Sequence, residues 1–366
     1  MLYLIHVPWK WVKQRPHFLA EYLSNYYDID VYFKKQYQKR GLVKNQPPGD
    51  LRIHELFKLP FERFSSIILK VNFYIVRFQL KKIINQFDIV WVTEPGLYHL
   101  VSGILPNNVK LIYDCMDDAL ESPKVKLNKK LAHQLFYLEK ELLDKSDIIF
   151  SSSDYLKAKL LERYRVNDKK IFVVNNAVFI DQNENFKKDN LSEDIINQFQ
   201  KAKFKITYIG AISEWFDFEL ILESLNKFKE ITYLLFGPDF IEIPKHKRII
   251  HFGSIEHEYI YQIMENSDLL IMPFKLNELI LSVNPVKLYE YIYSGKPCAA
   301  VEYGESLKFK DYVYLYKNKK EYFKILEKLV NQKLSPKKSG EECKFFAENN
   351  TWEKRAKFMA KIIDKN

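Results

Sequence analysis

Three carboxylates stand within five residues at Asp114, Asp117 and Asp118. Carboxylates that close repel one another, so one of them is pushed towards holding a proton near neutral pH and can take a proton from a hydroxyl. They suit helix capping equally well, because an aspartate at a strand-to-helix junction accepts backbone N–H groups. Asp117, central in the loop, is the candidate proton acceptor. A second constellation lies in residues 282–297, where Asn284 is placed to cap a helix, Pro285 suits its first position, and Gly295 followed by Pro297 ends it. Lys287, Glu290 and Ser294 share one face of that helix. A helix N-terminus with a lysine in its first turn is a cradle for phosphate, and a carboxylate one turn deeper can accept hydrogen bonds from sugar hydroxyls. The alternative is a solvated Lys287–Glu290 ion pair contributing a few tenths, roughly 0.3 kcal/mol.

Other groups are weaker signals. His17, beside Arg15 and Pro16 where the first helix begins, is placed to contact an acceptor or is an ordinary helix-start residue. Gly210 and Ser213 follow a strand and precede a helix, a setting that can receive a diphosphate, although one glycine is not a dinucleotide fingerprint. His6, His17, His99, His251 and His257 have no zinc spacing, and no serine or cysteine lies in a nucleophile motif.

The elements that must position these groups alternate along the chain. Apolar runs near residues 1–8, 29–33, 51–57, 88–93, 109–113, 147–151 and 170–174 read as strands separated mostly by helical stretches. A polar stretch follows, and a second series begins near 204–209, 231–236, 249–252, 268–272, 297–301 and 312–316. Such alternation predicts parallel sheets with helices on both faces, and ligands in such sheets lie beyond the carboxyl ends of the strands. The expected division is residues 1–178 as an N-terminal Rossmann-like domain, 179–203 as a linker, 204–350 as a C-terminal Rossmann-like domain, and 351–366 as a last helix. The two doubly wound α/β domains are expected to face a central cleft.

Composition narrows the partners. The 366 residues are too many for one ordinary core, and 47% hydrophobic residues can fill two. The net charge is +10, and residues 1–110 hold 16 Lys plus Arg against 8 Asp plus Glu, a surplus of 8 in the first third. That imbalance points to an anionic partner: nucleic acid, phospholipid or a phosphorylated substrate. Residues 58–87 interleave Phe61, Phe64, Ile67, Phe73, Tyr74 and Phe78 with Arg63, Lys70, Arg77, Lys81 and Lys82. The segment fits an anionic bilayer surface, or is a domain helix with a solvated basic face. No run is long enough to span a membrane, and no leader pattern is seen, so a cytoplasmic protein is expected, or one peripheral on the inner face of the membrane. Cys115, Cys298 and Cys343 lie far apart and read as reduced filler.

Taken together, Tyr208-Ile-Gly-Ala-Ile-Ser-Glu-Trp-Phe-Asp217, Leu235-Phe-Gly-Pro238, Phe252-Gly-Ser-Ile255, Asp268-Leu-Leu-Ile-Met-Pro-Phe274, the stretch from Asn284 to Pro297 and Thr351-Trp352 resemble the nucleotide-sugar domain of GT-B glycosyltransferases. Arg15-Pro-His-Phe-Leu-Ala20 and Ile112-Tyr-Asp-Cys-Met-Asp-Asp118 also resemble that group, in particular the family 4-like bacterial enzymes of capsule, teichuronic acid and O-antigen assembly. The resemblance implies that Lys287 and the N–H groups near Val286 hold a diphosphate, that Glu290 takes the ribose, and that residues near Ile255 hold the base. Ser213 and Trp215 would lie near the phosphates or sugar, with Gly210 and Asn284 in the same donor set. Arg15 and His17 would contact the acceptor, Asp117 would be the catalytic carboxylate, and the last helix would pack back on the N-terminal domain. Two departures stand out: Ser282 occupies a position where retaining members often carry a second glutamate, and Pro8-Trp9-Lys10-Trp11 replaces a glycine-rich loop. Retention and inversion both stay open.

The function this implies is transfer of a sugar from a nucleoside diphosphate sugar to a surface polysaccharide acceptor, free or lipid-linked, without a metal or other cofactor. A nucleotide-sugar epimerase of the same fold and a noncatalytic polyanion-binding protein are the alternatives. A capped helix with one lysine and one glutamate is not a polyanion stripe, which argues against nucleic acid.

Overall fold

The computed structural model describes residues 1–11, 13–37, 49, 51–62, 64–180, 191–256 and 259–366. The chain forms two compact units, one of Met1–Asn176 with Trp352–Asn366 and the other of Ala177–Thr351.

The first unit is built on strands β1 (Leu2–Leu4), β2 (Asp30–Lys34), β3 (Arg52–Leu56), β4 (Ile89–Val92), β5 (Lys110–Cys115), β6 (Ile148–Ser151) and β7 (Ile171–Val173). They pair in parallel in the order β3-β2-β1-β4-β5-β6-β7. A parallel sheet is covered on both faces by its crossover helices, which is why its central strands read as unbroken apolar runs. β1 and β6 are buried at every position, whereas the edge strand β3 is largely polar and half-exposed. Strand order reverses between β1 and β4, so the loops leaving those two strands diverge and open a crevice at the carboxyl edge.

Helix Trp352–Lys365 belongs to this unit and packs on helix Arg15–Leu23. Trp352, Ala356, Met359, Ala360 and Ile363 recur at helical spacing and are buried. Trp352 stacks on Phe18 with ring centres 5.3 Å apart, and Tyr27 donates a 2.7 Å hydrogen bond to Asp364.

The second unit contains β8 (Phe204–Ile209), β9 (Ile231–Phe236), β10 (Ile249–His251), β11 (Leu269–Met272), β12 (Cys298–Val301) and β13 (Tyr314–Tyr316). These also pair in parallel, in the order β10-β9-β8-β11-β12-β13, with the reversal between β8 and β11. Among the described residues, each of the thirteen strands overlaps a stretch that the sequence pattern marks as a strand.

Within the stretch read as a linker, residues 181–190 lie outside the described residues. Glu193–Lys201 is a helix, capped by Ser192, that buries Ile195 and Phe199 in the core of the second unit. Two apolar residues four apart on a short polar helix suffice to dock one stripe, which composition alone disguises. The three cysteines are free and buried. Among the described residues, no helix is long and apolar enough to cross a membrane.

Candidate functional site

In the first unit, the loop that leaves β5 separates its three aspartates into different roles. Asp114 is fully buried and grips Arg15, which reaches it at 2.8 Å through Nη2 and at 3.1 Å through Nε. Asp118 is also buried, caps the short turn at Leu120, and receives both Nη atoms of Arg163 at 2.8 and 2.7 Å together with Lys159 at 3.1 Å. Burial raises its carboxyl, and the hydrogen bonds and charges of Arg163 and Lys159 outweigh that, leaving it below the ordinary range. Asp117 alone turns outward, and among the described residues its carboxylate has no hydrogen bond or ion pair. Desolvation by the surrounding protein pushes its carboxyl up, against the opposing pull of His6 and Arg15. A free carboxylate with a raised pKa, held at a strand end by two anchored neighbours, fits proton acceptance.

Arg15 and His17, expected to contact the acceptor, are both buried and engaged inside the protein. Arg15 is 6% exposed, and besides Asp114 it donates to the Val174 carbonyl at 2.7 Å and to Asn176 Oδ1 at 3.3 Å. Its fork is thereby used inside the protein, as a brace between β5 and the chain leaving β7. His17 is fully buried, with Nδ1 accepting from the Gln14 N–H at 3.2 Å and Nε2 donating to the Pro8 carbonyl at 3.1 Å. Both ring nitrogens are engaged by backbone, and burial lowers its pKa to about 4, so the ring is a neutral clamp on the loop after β1.

In the second unit, the loops after β8, β9 and β10 each turn on a glycine. The Gly210 N–H donates to the Phe236 carbonyl at 2.8 Å, and the Gly237 N–H donates to the Gly253 carbonyl at 2.7 Å. Gly237 has φ +135°, and a Cβ placed there would lie 2.0 Å from the Gly210 carbonyl oxygen, so glycine is obligatory where these backbones meet. Ser213 lies in the tight turn after β8, its carbonyl accepting the Phe216 N–H at 2.8 Å. The Tyr208 hydroxyl donates to the Ala211 carbonyl at 2.8 Å, and the Trp215 carbonyl accepts from the Lys275 N–H at 2.7 Å, which ties this loop to the one after β11. Ile255 is half-buried against the core at the end of the loop after β10.

The helix expected after Asn284 runs over Val286–Tyr293 with Pro285 at its N-cap and Gly295, at φ +67°, beyond its C-terminus. Among the described residues no side chain caps its N-terminus, a setting in which the first N–H groups can meet a ligand. The cap expected of Asn284 is not made, and its side chain is not free for a ligand. Asn284 is 1% exposed, donates to Glu305 at 2.9 Å and accepts from the Tyr289 hydroxyl at 3.2 Å. Lys287 Nζ meets Glu290 Oε2 at 2.7 Å. Glu290 is 5% exposed, so this is not the solvated pair that a surface helix would give. The Ile209 N–H donates to the Tyr291 hydroxyl at 3.0 Å, a contact that fixes this helix against the end of β8 beside the switch point.

Sequence reasoning passed over three groups. His6 and Thr93 directly follow the two strands that flank the switch point of the first sheet, and Glu305 anchors Asn284 and, at 2.8 Å, Lys308. The available signal for His6 and Thr93 was their position just past a strand end; Glu305 carries none, because its partners are set by tertiary structure.

No protein-family model matches the chain. TuaH of Bacillus subtilis, named as a teichuronic acid biosynthesis glycosyltransferase, is 27% identical over 238 residues, 62% of this chain and 59% of that protein. The chain spans 54% to 59% of the length of the curated relatives it matches. The crystal structure of Anabaena HepE with UDP and glucose has a TM-score of 0.71 at 13% identity, covering 100% of this chain and 99% of that one. Sucrose-phosphate synthase from Thermosynechococcus elongatus has a TM-score of 0.75 at 13% identity, covering 100% of this chain and 98% of that one. With two doubly wound parallel sheets, each with its own switch point, the chain has the GT-B fold and is similar to bacterial polysaccharide glycosyltransferases.

Proposed function

We propose that the protein is a glycosyltransferase that moves a sugar from a nucleoside diphosphate sugar to a polysaccharide acceptor. The observation that carries this reading is the Lys287–Glu290 pair on an uncapped helix N-terminus, tied by Tyr291 to the end of β8. In this reading Lys287 and the N–H groups at Val286 stabilise the diphosphate, Glu290 accepts hydrogen bonds from the ribose, and Gly210, Ser213, Trp215 and Ile255 line the remainder of the donor site. The leaving group is stabilised by these fixed charges and dipoles without a metal. Asp117 supplies the negative charge that draws the proton from the acceptor hydroxyl. UDP is the first nucleotide to test, since HepE has been crystallised with UDP and glucose. Calorimetric titration with UDP, GDP and their sugars tests the assignment: micromolar binding of one series supports it, and absence of binding to all of them removes it. Incubation with donor alone separates transfer from epimerisation, because only an epimerase converts the sugar without an acceptor.

The acceptor in this reading is lipid-linked and reached at an anionic membrane surface. The helix Ser66–Ile83 and the turn before it support this: Phe61, Phe64, Ile67 and Tyr74 are 69%, 86%, 72% and 69% exposed. Lys70, Lys81 and Lys82 are exposed among them. Aromatic groups beside lysines suit the interface of an anionic bilayer.

A further inference from the structure

A cavity of about 630 Å³ opens at the amino edge of the first sheet, where Ile29 and Leu51 lead into β2 and β3. That volume falls within the roughly 300–1,000 Å³ of small-ligand sites. The five residues of β2, at about 3.3 Å each, set it about 16 Å from the carboxyl edge that carries Asp117. Ile29 and Leu51 give the cavity a buried apolar lining, and the rings of Tyr26 and Tyr27 add to it. Tyr26 is 45% exposed, whereas Tyr27 is held through its hydroxyl, which donates to Asp364 at 2.7 Å and to the Ala360 carbonyl at 3.2 Å. The two acids of the lining already have cations beside them: Glu21 pairs with Lys13 at 2.6 Å, and Asp28 with Arg52 at 2.7 Å. Asn25 is exposed, and among the described residues its side-chain amide makes no hydrogen bond.

We propose that this cavity binds a neutral mono- or disaccharide: the apolar face of a sugar ring lies against Tyr26 and Tyr27, and its hydroxyls bond Asn25, Glu21 and Asp28. A sugar ring carries C–H groups on its faces and hydroxyls around its rim. Aromatic faces beside an amide and two carboxylates offer each surface its counterpart. The charge balance decides the class of ligand. A carboxylate beside its cation keeps lone pairs that can accept from a hydroxyl, while the pair as a whole has no net charge to draw a cation or an anion. Polyamines and nucleotides therefore gain little here, and a polyol gains hydrogen bonds to acceptors already in place. Because Asp364 and the Ala360 carbonyl hold Tyr27, its ring is ordered before a ligand arrives, which lowers the entropy lost on binding. The site is separate from the donor site and stands on its own chemistry, whether or not the chain transfers sugar. In a polysaccharide glycosyltransferase it grips the glycan at a distance from the reacting end.

Saturation-transfer NMR and calorimetry on the full chain test this with maltose, cellobiose, lactose and N,N′-diacetylchitobiose, and with spermidine and UDP as charged comparisons. At least one disaccharide is expected to bind with a Kd below about 10 mM. Asn25→Ala and Tyr26→Ala are each expected to weaken that binding about fivefold or more, with thermal unfolding unchanged because both side chains are exposed. Saturating UDP is expected to leave the saccharide affinity as it was. If none of the four disaccharides binds below about 10 mM, the proposal is overturned. Equal binding by the two variants also overturns it, since the sugar then sits elsewhere on the chain, and displacement by UDP does so by placing the sugar in the donor site. Spermidine binding that these variants abolish makes the cavity a cation site and overturns it as well. If a disaccharide binds as expected while UDP and its sugars do not bind at all, the glycosyl-transfer reading fails and the saccharide site stands.

Discussion

Lys287 Nζ lies 2.7 Å from Glu290 Oε2, and the glutamate of this pair is buried while the lysine keeps a quarter of its side chain in solvent. An ammonium with that access can turn towards a phosphate while Glu290 stays in place one turn deeper for a ribose. Glu290→Ala is expected to weaken nucleoside diphosphate binding about tenfold or more, from loss of charge-assisted hydrogen bonds worth about 1.5–3 kcal/mol. Isothermal titration measures it, and an unchanged affinity removes Glu290 from the ribose role.

Asp117→Asn keeps the shape of the side chain and removes its charge. Transfer is expected to drop about 100- to 10,000-fold with donor affinity intact. Near-normal turnover would place the essential carboxylate elsewhere. Asp114 and Asp118 are unsuitable stand-ins for this test, because both are closed inside ion pairs.

The Arg15–Asp114 pair should matter for stability and not for acceptor recognition. Arg15→Met leaves a buried carboxylate without its partner, and the expected loss is about 3–5 kcal/mol in urea unfolding of the first unit. An acceptor KM that rises while stability is unchanged would restore Arg15 to the acceptor site.

His17 carries a prediction in pH. Its folded-state pKa is lowered to about 4, against about 6.5 in an unfolded chain, so acid protonates the unfolded form first. The stabilisation by the neutral ring is complete above about pH 6.5 and is lost as pH falls from there towards 4, about 3 kcal/mol over the window. His17→Gln is expected to flatten that part of the stability profile in denaturant titrations, whereas an unchanged slope would assign the acid sensitivity to other groups.

Lys70, Lys81 and Lys82 are the basic groups to alter on helix Ser66–Ile83. Arg77 is a poorer choice, since it already donates to the His99 and Leu100 carbonyls. Replacing the three lysines with glutamine is expected to weaken binding to phosphatidylglycerol vesicles about 100-fold, at about 1 kcal/mol for each charge. Equal sedimentation of the variant and the unaltered chain would leave this face without a membrane role.

The sheets were legible because strands buried on both faces must be apolar throughout, and stretches such as Ile231–Phe236 have no other use for six such residues in a row. The helix around Lys287 was legible from Pro285 and Gly295, whose backbone limits are local. Asn284 misled because its capping preference is also local, while Glu305, the partner it actually meets, lies 21 residues away. Arg15 and His17 misled for the same reason: the partners that bury them, Asp114 and the Pro8 carbonyl, are brought close by the fold. Polar side chains beside a helix start look alike in sequence whether they serve a ligand or the protein itself.

The contact between Gly237 and the Gly210 carbonyl limits how this protein can be redesigned. Two adjoining loops share one hydrogen-sized gap, so neither can be lengthened or substituted there without displacing the other. A library aimed at a new nucleotide or sugar would therefore vary Ser213, Trp215 and Ile255 and hold both glycines constant. Diversity would enter through side chains around a backbone that must stay as it is.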